Sequence, residues 1–447
     1  MTNSYQRPSL SPQLGGLSNK FGSTSLVQVV NEIEGHRVQD LVAQYGSPLF
    51  VYSEKMIKQR HRELTLSFTR KYPRFRHAWS YKTNYLKAIC LSYHRLGSWA
   101  EVVSSMEYEM ARQLGVSPEQ IIFNGPHKPY LALKRAIQEG ALVNIDSFDE
   151  LIDIEKISGE LGTKARVGLR FNMSLGACMS WDRYGFNLES GEALNIVRRA
   201  VAGGGVEIVS FHAHIGTFVT DAQRYRVATT KLTEFAKLVR SEFGVRIEIL
   251  DLGGGFPSKN RLKSKYLSSA DTALEFDEYA DAICEPILKA FTQDELPLLI
   301  LESGRTMIDE AGSLISSVVA VKPMNNGVRG LVIDSGVNLL FTAFWYDHEI
   351  HPVRDRGNSV EDYTIFGNMC MQIDVIRERV RLPYLEKGDL LVIQPVGAYN
   401  NTQWMQFIAL RPNVVMIAEN GEVARIRSAE TVEYLQSQES IPEWLTG

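Results

Sequence analysis

Eight short apolar runs recur along the first two-thirds of the chain: His77–Thr83, Ser98–Ser104, Ile121–Gly125, Leu142–Ser147, Arg166–Phe171, Ile208–Ile215, Ile247–Gly253 and Leu298–Glu302. Longer stretches with helical spacing separate them. Strand followed by helix, repeated eight times, predicts an α/β architecture in which a parallel sheet closes into a (β/α)8 TIM barrel. In such barrels the chemistry gathers where the strands end, at their C-terminal edge. The residues at those ends are Lys82, Glu101, Asn124, Asp146, Arg170, His214, Gly253 and Glu302. They are polar and chemically varied, as a site requires and a core does not.

The pattern changes after Glu302. Leu314–Val321, Gly330–Ile333, Tyr363–Phe366, Leu390–Val396 and Val414–Ile417 are β-rich runs divided by turns, and Asn420-Gly421 is a hairpin signal. The chain therefore divides into a polar leader (1–25), a lead-in segment (26–49) packing on the second domain, a barrel (50–312) and a mostly β C-terminal domain (313–447). Pro48–Tyr52 reads as extended at the start of the barrel.

Composition narrows the function. A 447-residue chain with 44% hydrophobic and 22% charged residues and a net charge of −4 reads as globular and cytoplasmic. It offers no basic surface for nucleic acid and no apolar run of membrane-spanning length. Cys90, Cys178, Cys284 and Cys370 are widely spaced, which indicates neither a disulfide framework nor a zinc site.

Four features carry chemistry. Three glycines in DLGGGFPSK (Asp251–Lys259) let backbone approach an anion closely. In FHAHIGT (Phe211–Thr217), His212 and His214 share a face by alternation, and no third metal ligand stands at a suggestive spacing along the sequence. A flat imidazole there can stack on an aromatic ring. LESGR supplies Glu302, a partner for a protonated ring nitrogen, and Arg305, a fork for phosphate. SYKTN places Lys82 at the end of the first strand, where an amine can form a Schiff base. Lysine, phosphate loop, stacking histidine and carboxylate together point to pyridoxal 5'-phosphate.

From about residue 30 to 430 the motifs resemble, in order, the fold-type III pyridoxal-phosphate decarboxylases, the group that includes ornithine/arginine and diaminopimelate decarboxylases. The resemblance implies that Lys82 anchors the cofactor, with Glu101 and Arg170 beside it and His214 on the ring. HIGT resembles HIGS, with Thr217 for serine, and ESGR resembles EPGR, with Ser303 for proline. It gives Glu302 to the ring nitrogen and Gly253, Gly254, Gly255, Arg305 and Tyr399 (in VGAYNN) to the phosphate. GNMCMQID resembles the catalytic-cysteine motif, so Cys370 is the implied acid. FWYDH resembles the substrate loop, which implies substrate contacts from Phe344, Tyr346, Asp347 and Met371. It also implies a homodimer in which Cys370 and Asp347 reach the partner's cofactor.

Two departures bear on substrate. Met371 follows the cysteine where an acidic residue is usual, and the arginine that opens the substrate loop of diaminopimelate decarboxylases is missing, with Leu340 and Phe341 nearby. The expected reaction is decarboxylation of an α-amino acid, a diamino acid or a modified or conjugated derivative of one. Ordinary ornithine, lysine or diaminopimelate decarboxylation is the alternative, with Asp374 or Glu349 replacing the missing carboxylate. A racemase and a non-catalytic cofactor-binding homologue are the rival classes. Cys370 in place of a tyrosine argues against the first, and retention of Lys82, Cys370 and Tyr399 argues against the second.

Overall fold

The computed structural model describes residues 27–176, 181–263, 273–325, 327–357 and 359–446. The expected leader and Cys178 lie outside the described residues.

All eight expected strands form. They are Phe75–Ser80, Trp99–Val102, Ile121–Phe123, Leu142–Ile145, Ala165–Asn172, Val206–His212, Ile249–Asp251 and Leu298–Leu301. Each pairs in parallel with the next, and the eighth pairs with the first, which closes the barrel. Ala78, Ile122, Leu142, Val209 and Ile300 form one buried cluster on its floor. Two residues along their strands, on the same face, stand Ser80, Asn124, Asn144 and Glu302. An apolar plug therefore supports a polar layer at the C-terminal edge.

Some residues that end the apolar runs are structural. Ser104 and Ser147 cap the helices Ser105–Gln113 and Phe148–Leu161, each accepting from the amide three residues on. They satisfy free helix N–H groups, worth about 1 kcal/mol each.

The second domain is a mostly β sheet. Gly312–Pro323 is its central strand, flanked by Arg329–Ile333 and Leu390–Gln394. Val414–Ile417 and Val423–Arg427 form the hairpin signalled by Asn420-Gly421, with Gly421 at φ 87°. The extended run expected to open the barrel behaves differently. Leu49–Ser53 pairs with Gly312–Pro323 and Val414–Ile417 inside the β sheet. All five of its residues are buried, so it needed two covered faces, and the second domain supplies them. The barrel proper starts at the helix Glu54–Thr69.

The hairpin Val360–Phe366 and Val375–Pro383 carries the loop with Cys370. Its second strand, VIRERVRLP, carries four charged residues and so does not read as an apolar run. Among the described residues, no helix is long and apolar enough to cross a membrane.

Candidate active site

Six of the eight strand ends meet around one cavity of about 230 Å³. Its lining includes Lys82, Glu101, Asn124, Arg170, His214 and Glu302, together with Trp181 and Tyr184 from the loop after the fifth strand. Lys82 stands on the 3-10 turn Tyr81–Thr83, just past the strand itself. Two contacts from the second domain hold that turn. Thr402 Oγ1 donates to the Lys82 carbonyl at 2.8 Å, and Tyr399 N donates to the Thr83 carbonyl at 2.8 Å.

The Lys82 ammonium contacts both Glu101 oxygens, at 2.7 and 2.5 Å. Burial pushes this amine down, but Glu101 and Glu302 push it up further, and it ends above the ordinary lysine range. Ser80 Oγ donates to Glu101 at 2.6 Å. Asn124 Nδ2 bridges Glu101 and Glu302, at 3.1 and 2.6 Å, and Asn144 holds Asn124 in turn at 2.8 Å.

Glu302 is buried and has a further partner, His212 Nε2 at 3.3 Å. Asp251 lies against the same carboxylate. Burial raises the Asp251 carboxyl, and the Glu302 charge raises it again. His212 and Lys82 overcome burial at Glu302 and hold it well below the usual carboxylate range. The pair thus consists of a neutral Asp251 and an ionised Glu302. Spacing within each motif could not show His212 and Asp251 acting on Glu302, because adjacent barrel strands bring them together.

His214 sits beside the cavity with Trp181 5.5 Å from its ring. Burial, with Arg170 and Lys82 adding to it, pushes the imidazole down to about 3, so the ring is neutral near pH 7. Gly254 N donates to His214 Nδ1 at 3.1 Å, leaving the proton on Nε2.

The glycine turn is less open than its sequence suggests. Gly253 N donates to Asp251 Oδ1 at 2.9 Å, so two of the three expected anion donors are already engaged within the protein. Among the described residues, Gly255 N has no such acceptor. The glycines also permit close packing. A Cβ on Gly253 would lie 2.7 Å from His214 Nδ1, and one on Gly255 2.4 Å from the Gly216 carbonyl, both at positive φ. Thr217 lines a separate cavity of about 250 Å³ on the far side of Trp181 and His214.

Arg305 opens the short helix Arg305–Ile308 after the eighth strand. Its guanidinium donates to Tyr346 Oη and lies 4.5 Å from the Tyr399 ring centroid. Tyr399 adopts φ 66°, unusual for a residue with a side chain, and the Thr83 contact secures it. Tyr346 was expected at the substrate, but its hydroxyl faces Arg305.

The remaining expected residues lie in the second domain. Phe344 and Cys370 are exposed, and Met371 is half-buried. Asp347 forms an ion pair with Arg377 at 3.6 Å. The two proposed substitutes for the missing acidic residue have other neighbours in this structure. Asp374 accepts from Val337 N and Met369 N, both at 2.8 Å, and so secures the Cys370 loop. Glu349 pairs with His351 at 3.3 Å.

One ion pair supports the cavity wall. Lys128, fully buried, donates to Glu150 at 2.7 and 2.8 Å and to the carbonyl of Gly125, a lining residue. Lys128→Met strands a buried carboxylate. It is expected to cost roughly 3 kcal/mol, read as a lower midpoint in urea denaturation; an unchanged midpoint would show that Glu150 is neutral or hydrated.

A closed barrel with a paired lysine, an ionised buried carboxylate, a neutral imidazole and an arginine around one cavity fits a flat, phosphorylated cofactor that binds through an amine. These features define a pyridoxal 5'-phosphate enzyme. The model for the pyridoxal-dependent decarboxylase pyridoxal-binding domain matches residues 54–309. The diaminopimelate decarboxylase of Methanocaldococcus jannaschii is 31% identical over 428 residues, covering 92% of this chain and 95% of that protein. The Aquifex aeolicus diaminopimelate decarboxylase is 28% identical over 415 residues, covering 90% and 94%. The crystal structure of the M. jannaschii enzyme in co-complex with L-lysine superposes with a TM-score of 0.84 at 30% identity, covering 94% and 99% of the two chains. The chain belongs to the pyridoxal-dependent decarboxylase family and is a pyridoxal-phosphate-dependent amino-acid decarboxylase.

Proposed function

We propose that the protein removes carbon dioxide from a diamino acid of the diaminopimelate type. The observation that carries this reading is the full-length likeness to diaminopimelate decarboxylases, centred on an intact Lys82–Glu101–Asn124–Glu302 cluster. The relatives favour this substrate over the modified or conjugated one that Met371 suggested, for which they offer no support.

Bound pyridoxal phosphate supplies an electron sink for the pair left behind as carbon dioxide departs. The protein's residues divide the remaining work. Lys82 is the anchoring amine, and Glu101 orients it. Glu302, kept ionised by His212, holds a proton on the ring nitrogen. Neutral His214 presents a flat face, and Arg170 lies at the cavity edge. Arg305, Gly255 and Tyr399 take the phosphate. Cys370 delivers the proton to Cα. Since Cys370 is exposed on the second domain, a homodimer brings it to the partner's cavity.

Carbon dioxide release tests the reading. Diaminopimelate, lysine, ornithine and acylated or carboxylated diamino acids are compared at saturating cofactor. A kcat/KM above about 10⁴ M⁻¹s⁻¹ is expected for diaminopimelate. Such a value for a modified diamino acid, with none for diaminopimelate, would overturn the reading.

Arg305→Ala is expected to weaken cofactor retention on the order of 30-fold, the loss of one charge-assisted bidentate contact, with a smaller change in kcat once cofactor saturates. Equilibrium dialysis checks it. Unchanged retention would mean that Arg305 serves only Tyr346 and Tyr399.

A further inference from the structure

The substrate loop and the cysteine hairpin meet at a pair of opposite charges. Asp347 lies between the turn Phe341–Phe344 and the strand Glu349–Pro352. Its carboxylate is 3.6 Å from Arg377 Nε, on the strand Val375–Pro383. Arg377 is buried at 9% exposure, and one end of its guanidinium donates to the His348 carbonyl at 2.6 Å. Among the described residues its Nε makes no hydrogen bond, and neither does that of Arg261, whose carbonyl accepts from Asp347 N at 2.8 Å. Burial pushes the Arg377 guanidinium down; Asp347 opposes this and Arg261 adds to it. Asp347 therefore meets the Arg377 charge that Arg261 opposes, and among the described residues the hydrogen-bonding capacity of Arg377 is incompletely used.

This arrangement is placed to meet a substrate. Tyr346, which touches Arg305, is the residue before Asp347. Arg261 lies on the run that leads from the glycine turn to Leu262, which bridges Tyr346. Arg377 follows Cys370 by seven residues on the same hairpin, so whatever carries the cysteine to a cavity carries Arg377 with it.

We propose that Asp347 and Arg377 together recognise an amino-carboxylate, the zwitterionic distal end of the substrate, with the carboxylate on Arg377 and the ammonium on Asp347. This rests on the diaminopimelate reading and deepens it by assigning the distal carboxylate to Arg377, which no sequence motif marks, beside Asp347 of the substrate loop. A lone distal ammonium, as on lysine or ornithine, would bring a second cation to a carboxylate that already has one. A lone distal carboxylate would meet Asp347. An end bearing both charges satisfies both residues, and a planar guanidinium can take a carboxylate through two N–H groups. Arg377 thus fills the role of the arginine missing near Leu340 and Phe341, from the cysteine hairpin.

Two measurements on the holoenzyme test the pair. The first is kcat/KM for diaminopimelate, lysine and ornithine in the wild type, Arg377→Met, Arg377→Lys and Asp347→Asn. Arg377→Met and Asp347→Asn are each expected to lower the diaminopimelate value at least about 30-fold. Arg377→Met, which frees Asp347, is expected to raise the lysine or ornithine value relative to diaminopimelate by more than that. Arg377→Lys, which keeps the charge without the fork, falls between and guards against misfolding as the cause. The second is calorimetric titration with L-lysine, which can present an intact amino-carboxylate end, and with cadaverine, which cannot. The wild type is expected to bind L-lysine at least tenfold tighter, and Arg377→Met to lose that preference. Wild-type turnover of diaminopimelate that both variants leave unchanged would overturn the pair and leave the functional reading standing. Absence of diaminopimelate turnover would overturn the functional reading. In that case the titrations alone judge the pair, and equal affinity for the two ligands overturns it.

Discussion

Lys82→Ala is expected to lower kcat on the order of 10⁴-fold, because the anchoring amine and a proton carrier vanish together. Lys82 is the cavity amine whose ammonium rests on a buried carboxylate, and the second domain clasps its turn at Tyr399 and Thr402. Its removal also leaves Glu101 and Glu302 without their neighbouring cation, so neutral cofactor fragments should bind better relative to anionic ones. Absorption spectra and borohydride reduction followed by peptide mapping check the anchoring role. The wild type should show a visible band and a label on the peptide bearing Lys82, and the variant neither. Undiminished turnover with an unchanged spectrum would falsify the assignment.

Mixing two inactive proteins, Lys82→Ala and Cys370→Ala, is expected to restore about a quarter of wild-type activity. In a two-fold dimer with shared sites, half the molecules become hybrids, and each hybrid rebuilds one complete site. The motivation is geometric. Lys82 lines the barrel cavity, whereas Cys370 is exposed on a hairpin loop of the second domain, held there by Asp374. Exchange is monitored by differently tagged subunits. Confirmed exchange without recovered activity would place both residues in one subunit's site and refute the composite arrangement.

The barrel was legible because its physics is local. A strand buried on both faces must be apolar, and a strand end that opens on a cavity can afford polar groups, so runs closing on Lys82, Glu101 and Glu302 announced both fold and site. The hairpin turn at Asn420-Gly421 and the lead-in helix Val38–Tyr45, ending at Gly46, obey the same nearest-neighbour rules. The strand Val375–Pro383 is not legible as an apolar run because Arg377, Glu378, Arg379 and Arg381 interrupt its apolar positions.

The sequence by itself determined the alternation that closes the barrel, the residues at its strand ends and the motifs that place the chain among pyridoxal-phosphate decarboxylases. Only the tertiary structure decided which of those residues touch. Pairing between the sixth, seventh and eighth strands brought His212 and Asp251 to Glu302 and fixed which carboxyl is charged. Closure of the β sheet drew Leu49–Ser53 out of the barrel. Packing of one strand against a distant loop set Arg377 on Asp347. The reason is common to all three: a run's own pattern encodes burial and backbone geometry, whereas the charge and partner of a buried polar group depend on neighbours that may be hundreds of residues away along the chain, as Asn124 and Glu302 are 178 apart.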